Sequence, residues 1–357
     1  MYEPSDVRQL DPPGRKEPST PLIMERGSHP ETSEPVTREQ DSREPLRREH
    51  LSIPATDGAP LAATLYLADD ERAPLVVVAP ALAVRRSFYD RFARWLRGRG
   101  LSALTFDYRG IGGSRSSEGA EPDGALSGWG QRDLAGVLAF ARERSPSKVA
   151  FVGHSVAGQL LGLAPNNDVV DAAYLVGSPT GACRDFRGVE RALIGLAFFV
   201  GIPVVTTALG RLPGRLFGAA EDLPASVARE WARWGRAPEG ARTVCEGARE
   251  GYARVRARAC FVSISDDFYG PWSAVDALSL WYEQAQSERR HLVPRDLGLD
   301  EIGHFGFFRR EHAATLWAEA GDWLERALTE ERHATTTAAD VIETAPTAPL
   351  GAWAPAR

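Results

Sequence analysis

The sequence predicts an α/β domain with a mainly parallel sheet and helices on both faces. Two observations carry that expectation. Short apolar, β-branched runs alternate with amphipathic helical stretches from about residue 50 to about residue 330, as parallel strands joined by crossover helices require. In VAFVGHSVAGQLLGL, residues 149–163, β-type residues also give way to small ones around a serine. That change is expected where a strand turns sharply into a helix.

The elements follow in order. LSIPATDG and LAATLYL read as an opening hairpin. APLVVVAP is a continuous apolar run, the pattern of a strand buried on both faces. SFYDRFARWLRGRG is an amphipathic helix closed by Gly100. LSALTFDY is the next strand, WGQRDLAGVLAFARER a helix, and KVAFVGHS a further strand. DAAYLVGS, RACFVSIS and RRHLVP are later strands, with AVDALSLWYEQAQ and HAATLWAEAGDWLERALTE as helices. The core is thus expected over 49–180 and 258–332. Residues 181–257 break the rhythm with helices and loops, and are expected to cap the carboxyl end of the sheet. Residues 1–48 and 333–357 are rich in Pro, Glu, Ser, Thr and Ala. They hold too little apolar surface to offset ordering entropy and are expected to be disordered.

Composition narrows the function. A net charge of −6 gives no basic bias toward nucleic acid. Three cysteines, Cys183, Cys245 and Cys260, form no CxxC pair and fit a reducing compartment. The first residues show no apolar signal region, so a cytoplasmic location is expected. Residues 192–210 carry no charge and approach the length of a membrane span. Pro203 and two threonines interrupt them, so buried or lid-type helices are expected rather than a stable span. The apolar first half, Leu193 to Val205, would face a pocket. The amphipathic second half, with Trp231 and Trp234, would be the outer support of the cap.

A serine hydroxyl needs a base to become a nucleophile. Ser155 is the candidate, flanked by the small residues Gly153 and Ala157 and followed by Gly158. The helix beginning near Val156 would aim its N–H groups at a developing oxyanion. The base should come late, after the last strand, and His304 in DEIGHFGFF fits. His29, His50 and His333 lie in or beside the tails, His291 lies in a strand, and His312 is expected to be exposed at a helix start. His154 is expected to pack beside the bend. The acid should follow a strand between nucleophile and base, where Asp266 and Asp267 both stand. One would orient the histidine and the other cap the turn. Asp267 is preferred because Asp-x-x-x-Pro places it one residue deeper in the loop, and Asp266 is the alternative.

Over residues 50–330 the chain resembles the α/β-hydrolase superfamily. FDYRGIGGSRSS is similar to that family's Asp-x-Arg-Gly-x-Gly-x-Ser loop and GHS to its nucleophile elbow. GHSVAGQLLGLAPN, EDLPASVAREWARWGRAP and PRDLGLDEIGHFGFFRR are similar to bacterial predicted hydrolases near the serine aminopeptidase and monoglyceride-lipase branch. The resemblance implies an α/β-hydrolase fold, the order Ser155, Asp267, His304, and no metal or cofactor. The family's His-Gly after the early strand is replaced here by Ala79-Pro80. The residue matching the usual oxyanion donor is then Ala81, with Leu82 as the alternative. Asp107, Arg109 and Gly110 are expected to be structural and Ser114 not to be a second nucleophile. The expected activity is hydrolysis of an ester, thioester or amide of a small hydrophobic acyl substrate. The alternatives are acyl transfer by the same residues or non-catalytic binding on this scaffold.

Overall fold

In a computed structural model of the chain, residues 48–115, 125–219 and 221–329 are described. Expectations for residues 1–47 and 333–357 lie outside them, while Arg48 is already the first residue of β1.

The strands are β1 (Arg48–Pro54), β2 (Pro60–Tyr66), β3 (Leu75–Ala79), β4 (Ser102–Phe106), β5 (Val149–His154), β6 (Val170–Val176), β7 (Arg211–Leu212), β8 (Leu223–Pro224), β9 (Arg258–Ile264) and β10 (Gln286–Leu292). Eight of them form one sheet in the order β1-β2-β4-β3-β5-β6-β9-β10, and β7 and β8 pair separately. β1 with β2 and β2 with β4 run antiparallel, and every other neighbour is parallel. β3 and β5 are buried at every residue because helices cover both faces. Leu75, Val77 and Phe151 pack into one core, and Val76, Val78 and Val152 into the other.

The order places the site. From β3 the chain moves outward to β4, then returns past β3 to β5 and proceeds the other way. The loops leaving β3 and β5 therefore diverge and leave a crevice at their carboxyl ends, where open α/β sheets bind ligands. Both non-glycine residues with positive φ among those described, Ala83 (58°) and Ser155 (57°), lie on these two loops. Strain of this kind persists only where the surroundings enforce it.

Two elements differ from expectation. The helix read over 274–286 is Trp272–Ser279, and β10 begins at Gln286 rather than Arg289. β10 is an edge strand with mostly exposed, charged side chains, so no apolar alternation marks it; its ladder with β9 does. His312 is buried rather than exposed, 6% accessible, at the start of the last helical stretch.

Residues 181–257 leave after β6 and return at β9. They hold a helical stretch, Gly188–Leu209, then the β7–β8 pair and a helix at Ala225–Arg236. Gly188–Leu209 is long and apolar enough to cross a membrane by length and composition. Ile194, Phe198, Ile202 and Thr206 are buried at helical spacing, whereas Leu193, Leu196, Phe199, Val200 and Val204 are exposed. The expectation that the whole apolar run faces inward thus holds for one stripe only. A π-turn at Ala197–Gly201 lies within the stretch, with Phe198 buried and Phe199 exposed.

Candidate active site

β5 ends at His154, and the next helix begins at Ala157. Ser155 occupies the left-handed region between them, with its N–H donating to the Val176 carbonyl at 2.9 Å. A Cβ at Gly153 would lie 2.7 Å from the Phe151 ring and 2.9 Å from Leu175, so this flank must be glycine. The same Cβ would stand 3.4 Å from the Ala157 Cβ, an ordinary contact, so alanine is tolerated on the other flank.

His304 lies on the short helix Gly303–Gly306, and its Nδ1 is 2.9 and 2.8 Å from Asp267 Oδ1 and Oδ2. Asp267 Oδ1 also accepts the N–H groups of Tyr269 (2.8 Å) and Gly270 (2.9 Å). Both side chains of the pair are nearly inaccessible, so their attraction acts with little solvent screening. Gly177, at φ +54°, makes room for Asp267: a Cβ there would lie 2.8 Å from Oδ2. Asp266 has a different task. Its carboxylate accepts the N–H groups of Ile302 and Gly303, each at 2.9 Å, and pins the backbone just before His304.

His154 ties the loops together. Its Nε2 is 2.9 Å from the His304 carbonyl, and its Nδ1 is 2.8 Å from Tyr89 Oη. A carbonyl only accepts, so Nε2 carries the proton and Nδ1 accepts from the Tyr89 hydroxyl. Burial holds His154 well below the ordinary value of 6.5, with His304 a secondary cause, and burial keeps the Tyr89 phenol protonated. Tyr89 Oη in turn accepts the Ala81 N–H at 2.9 Å. One chain of hydrogen bonds thus joins the β3 loop, the bend after β5 and the His304 loop.

This network gives a pH expectation. Unfolded His154 takes up a proton below about pH 6.5, whereas the folded residue stays neutral to much lower pH. Its contribution is complete above about 6.5 and is lost as pH falls, at up to about 1.4 kcal/mol per pH unit. The melting temperature of the native protein should therefore fall more steeply than that of His154→Gln below about pH 6.5. Parallel melting curves would contradict the assigned protonation.

The Tyr89 bond corrects one expectation. The Ala81 N–H is already engaged and does not face a substrate. The Leu82 and Val156 N–H groups have no partner among the described residues, and both residues line a cavity of about 50 Å³. Of the two expected donors on the β3 loop, only the N–H of Leu82, the alternative, is left without a partner among the described residues. Ser155, His304, Ile194, Phe198, Phe217 and Trp231 line the same cavity. Ser155 Oγ makes no hydrogen bond among the described residues, to His304 or any other group. Trp231 is correspondingly a cavity wall rather than outer support, while Trp234 is fully buried.

The remaining expected residues are structural. Asp107 accepts the Arg86 and Gly113 N–H groups and pairs with the Arg86 side chain. Arg109 binds Asp57 and Asp133. Ser114 Oγ donates to the Asp107 carbonyl at 2.7 Å and accepts the Ala62 N–H at 2.8 Å. Glu221 opens EDLPASVAREWARWGRAP, but its role was not anticipated. Its buried carboxylate binds Arg85 and Arg115, and its N–H donates to the Ala83 carbonyl at 3.2 Å, fastening residues 181–257 to the β3 loop.

No family model and no curated protein matches the chain. Solved structures do. An α/β hydrolase, GrgF from Penicillium sp. sh18, is 18% identical with a TM-score of 0.52, covering 80% of this chain and 100% of its own. Est1E from Butyrivibrio proteoclasticus, solved with ferulic acid bound, is 14% identical with a TM-score of 0.53, covering 78% and 100%. The Pyrococcus furiosus esterase Pf2001 is 11% identical with a TM-score of 0.52, covering 80% and 92%. Likeness at this identity carries architecture rather than chemistry. The strand order, the bend after β5 and these likenesses together give the chain an α/β-hydrolase fold.

Proposed function

We propose that this protein is a serine hydrolase acting on acyl substrates with an apolar acyl group. The observation that carries the reading is the Asp267–His304 pair, held at 2.8–2.9 Å, bordering the same cavity as the strained Ser155. Ser155 Oγ attacks the acyl carbonyl while His304 Nε2 takes its proton. The oxyanion is received by the Val156 and Leu82 N–H groups. His304 then gives the proton to the leaving group, and water, deprotonated by the same nitrogen, releases the acid and restores Ser155. Asp267 holds the His304 Nδ1–H and stabilises the imidazolium formed in each half-reaction. Asp266 positions the histidine loop, and residues 181–257 cap the acyl site.

A cavity of about 50 Å³ holds a short acyl group. Beyond Phe198 and Trp231 lies an apolar groove of about 260 Å³ that shares Ile194, Phe198, Phe217, Trp231 and Tyr269 with the cavity. Medium chains fit only when the Phe198 ring gives way. Phe198→Ala should join the two spaces and move the best substrate about two or more carbons longer across esters from acetate to decanoate, since pocket shape sets such discrimination. An unchanged kcat/KM profile would remove Phe198 from the acyl site. The exposed Phe199 is no test of this, because its side chain borders neither space.

One observation favours a non-catalytic binding protein on this scaffold: Ser155 Oγ is not hydrogen-bonded to His304. Such bonds are often long before substrate arrives. Covalent labelling of Ser155 separates the two readings, since a binding protein would leave the serine unmodified.

A further inference from the structure

We propose that the outward face of Gly188–Leu209 docks on an anionic lipid surface, with the helical stretch lying in the interface rather than crossing it. Leu193, Leu196, Phe199, Val200 and Val204 are each at least half accessible and form one continuous face. Contiguous apolar exposure of this kind marks an interaction surface. No charged residue interrupts positions 192–210, and an 18-residue window of the 22-residue stretch has a mean hydropathy of 2.2.

Charge identifies the partner. Residues 181–257 contain twelve arginines, no lysine and eight acidic residues, a net charge of +4 in a chain whose total is −6. Arg187 and Arg191 at one end of the stretch and Arg215 beyond the other are exposed, with no acidic partner among the described residues. Arg184 and Arg211 are also exposed and pair with Asp185 and Asp222. An apolar face bounded by arginines matches acyl chains bounded by anionic headgroups. A second copy fits less well, because a two-fold interface would set this positive region against itself. A membrane span fits less well too. Ile194, Phe198 and Ile202 belong to the same stretch and are buried in the protein, and Phe198 packs edge-on against Trp231 at 5.0 Å. Inserting the stretch across a bilayer would strip them from the walls of the cavity and the groove.

Leu193 and Leu216, both exposed, stand at the rim of the apolar groove that shares a wall with the Ser155 cavity. A docked protein would draw an acyl chain from the interface through that groove. This consequence rests on the proposed hydrolase function; the docking does not.

The test is sedimentation of the full chain with vesicles of phosphatidylcholine alone and of phosphatidylcholine with phosphatidylglycerol, alongside light scattering without lipid. The expected result is a monomer that binds the anionic vesicles, is released by high salt, and binds about tenfold more weakly as Leu196→Asp or as Arg187→Glu with Arg191→Glu. These side chains are exposed, and circular dichroism checks that the variants fold. Three results would overturn the proposal: no binding to anionic vesicles, binding that resists both high salt and alkaline wash, or a dimer that Leu196→Asp splits. Because the readout is vesicle binding, its failure is distinct from failure of the hydrolase reading.

Discussion

Ser155→Ala should leave the melting temperature within a few degrees of the native value and reduce ester turnover by about four orders of magnitude or more. The hydroxyl makes no hydrogen bond among the described residues, so its loss removes no stabilising contact. The backbone remains held by the Ser155 N–H to Val176 bond at 2.9 Å. The cost falls on chemistry, because no other serine or threonine lines the cavity and the Tyr269 hydroxyl there donates to the Phe217 carbonyl at 3.2 Å. Ser114, the other serine in a resembling motif, is engaged by Asp107 and Ala62. Turnover by Ser155→Ala within tenfold of native would move the nucleophile elsewhere.

Asp267→Asn should cost nearly as much, about 10⁴ in kcat, while Asp266→Asn should cost about tenfold. The difference lies in which partners each carboxylate serves. In Asp267→Asn the side-chain oxygen still accepts the Tyr269 and Gly270 N–H groups, which both contact Oδ1. The new amide nitrogen is then turned toward His304 Nδ1. Two donors cannot share that bond, so the His304 proton moves to Nε2, and a protonated Nε2 cannot accept from Ser155. Asp266 touches only the Ile302 and Gly303 N–H groups. Its amide keeps one acceptor oxygen, so the loop loosens and the tautomer is unaffected. Measuring kcat for both variants at one pH decides the assignment, and the reverse ranking would make Asp266 the orienting acid.

What the sequence reveals and conceals follows from the range of each interaction. The bend after β5 is legible because its requirements are local: small flanks, a β-type run before and a helix after. The histidine and aspartates are legible because each ends a recognisable apolar strand or follows the last one. The Ala81 N–H is not, since its direction depends on Tyr89 Oη, which is placed by packing across the sheet end. Trp231 and Phe199 were misplaced for a related reason: apolar composition alone does not say which side of a helix meets the cavity, and only tertiary packing puts Trp231 in the cavity wall and leaves Phe199 exposed. The start of β10 escaped because edge strands carry charged side chains on both faces. The pairing of Glu221 leaves no local mark, as its partners Arg85 and Arg115 lie more than a hundred residues away.

The central claim is that Ser155 is a nucleophile activated by His304, and mass spectrometry of the native protein treated with a fluorophosphonate tests it most directly. The serine oxygen displaces fluoride from phosphorus, His304 takes the proton, and a stable phosphonyl ester remains. The account predicts one adduct per chain, located by peptide mapping within VAFVGHSVAGQLLGL at Ser155 and absent in Ser155→Ala and His304→Ala. An adduct on another residue, or an unmodified native protein at probe concentrations that label other serine hydrolases, would contradict it.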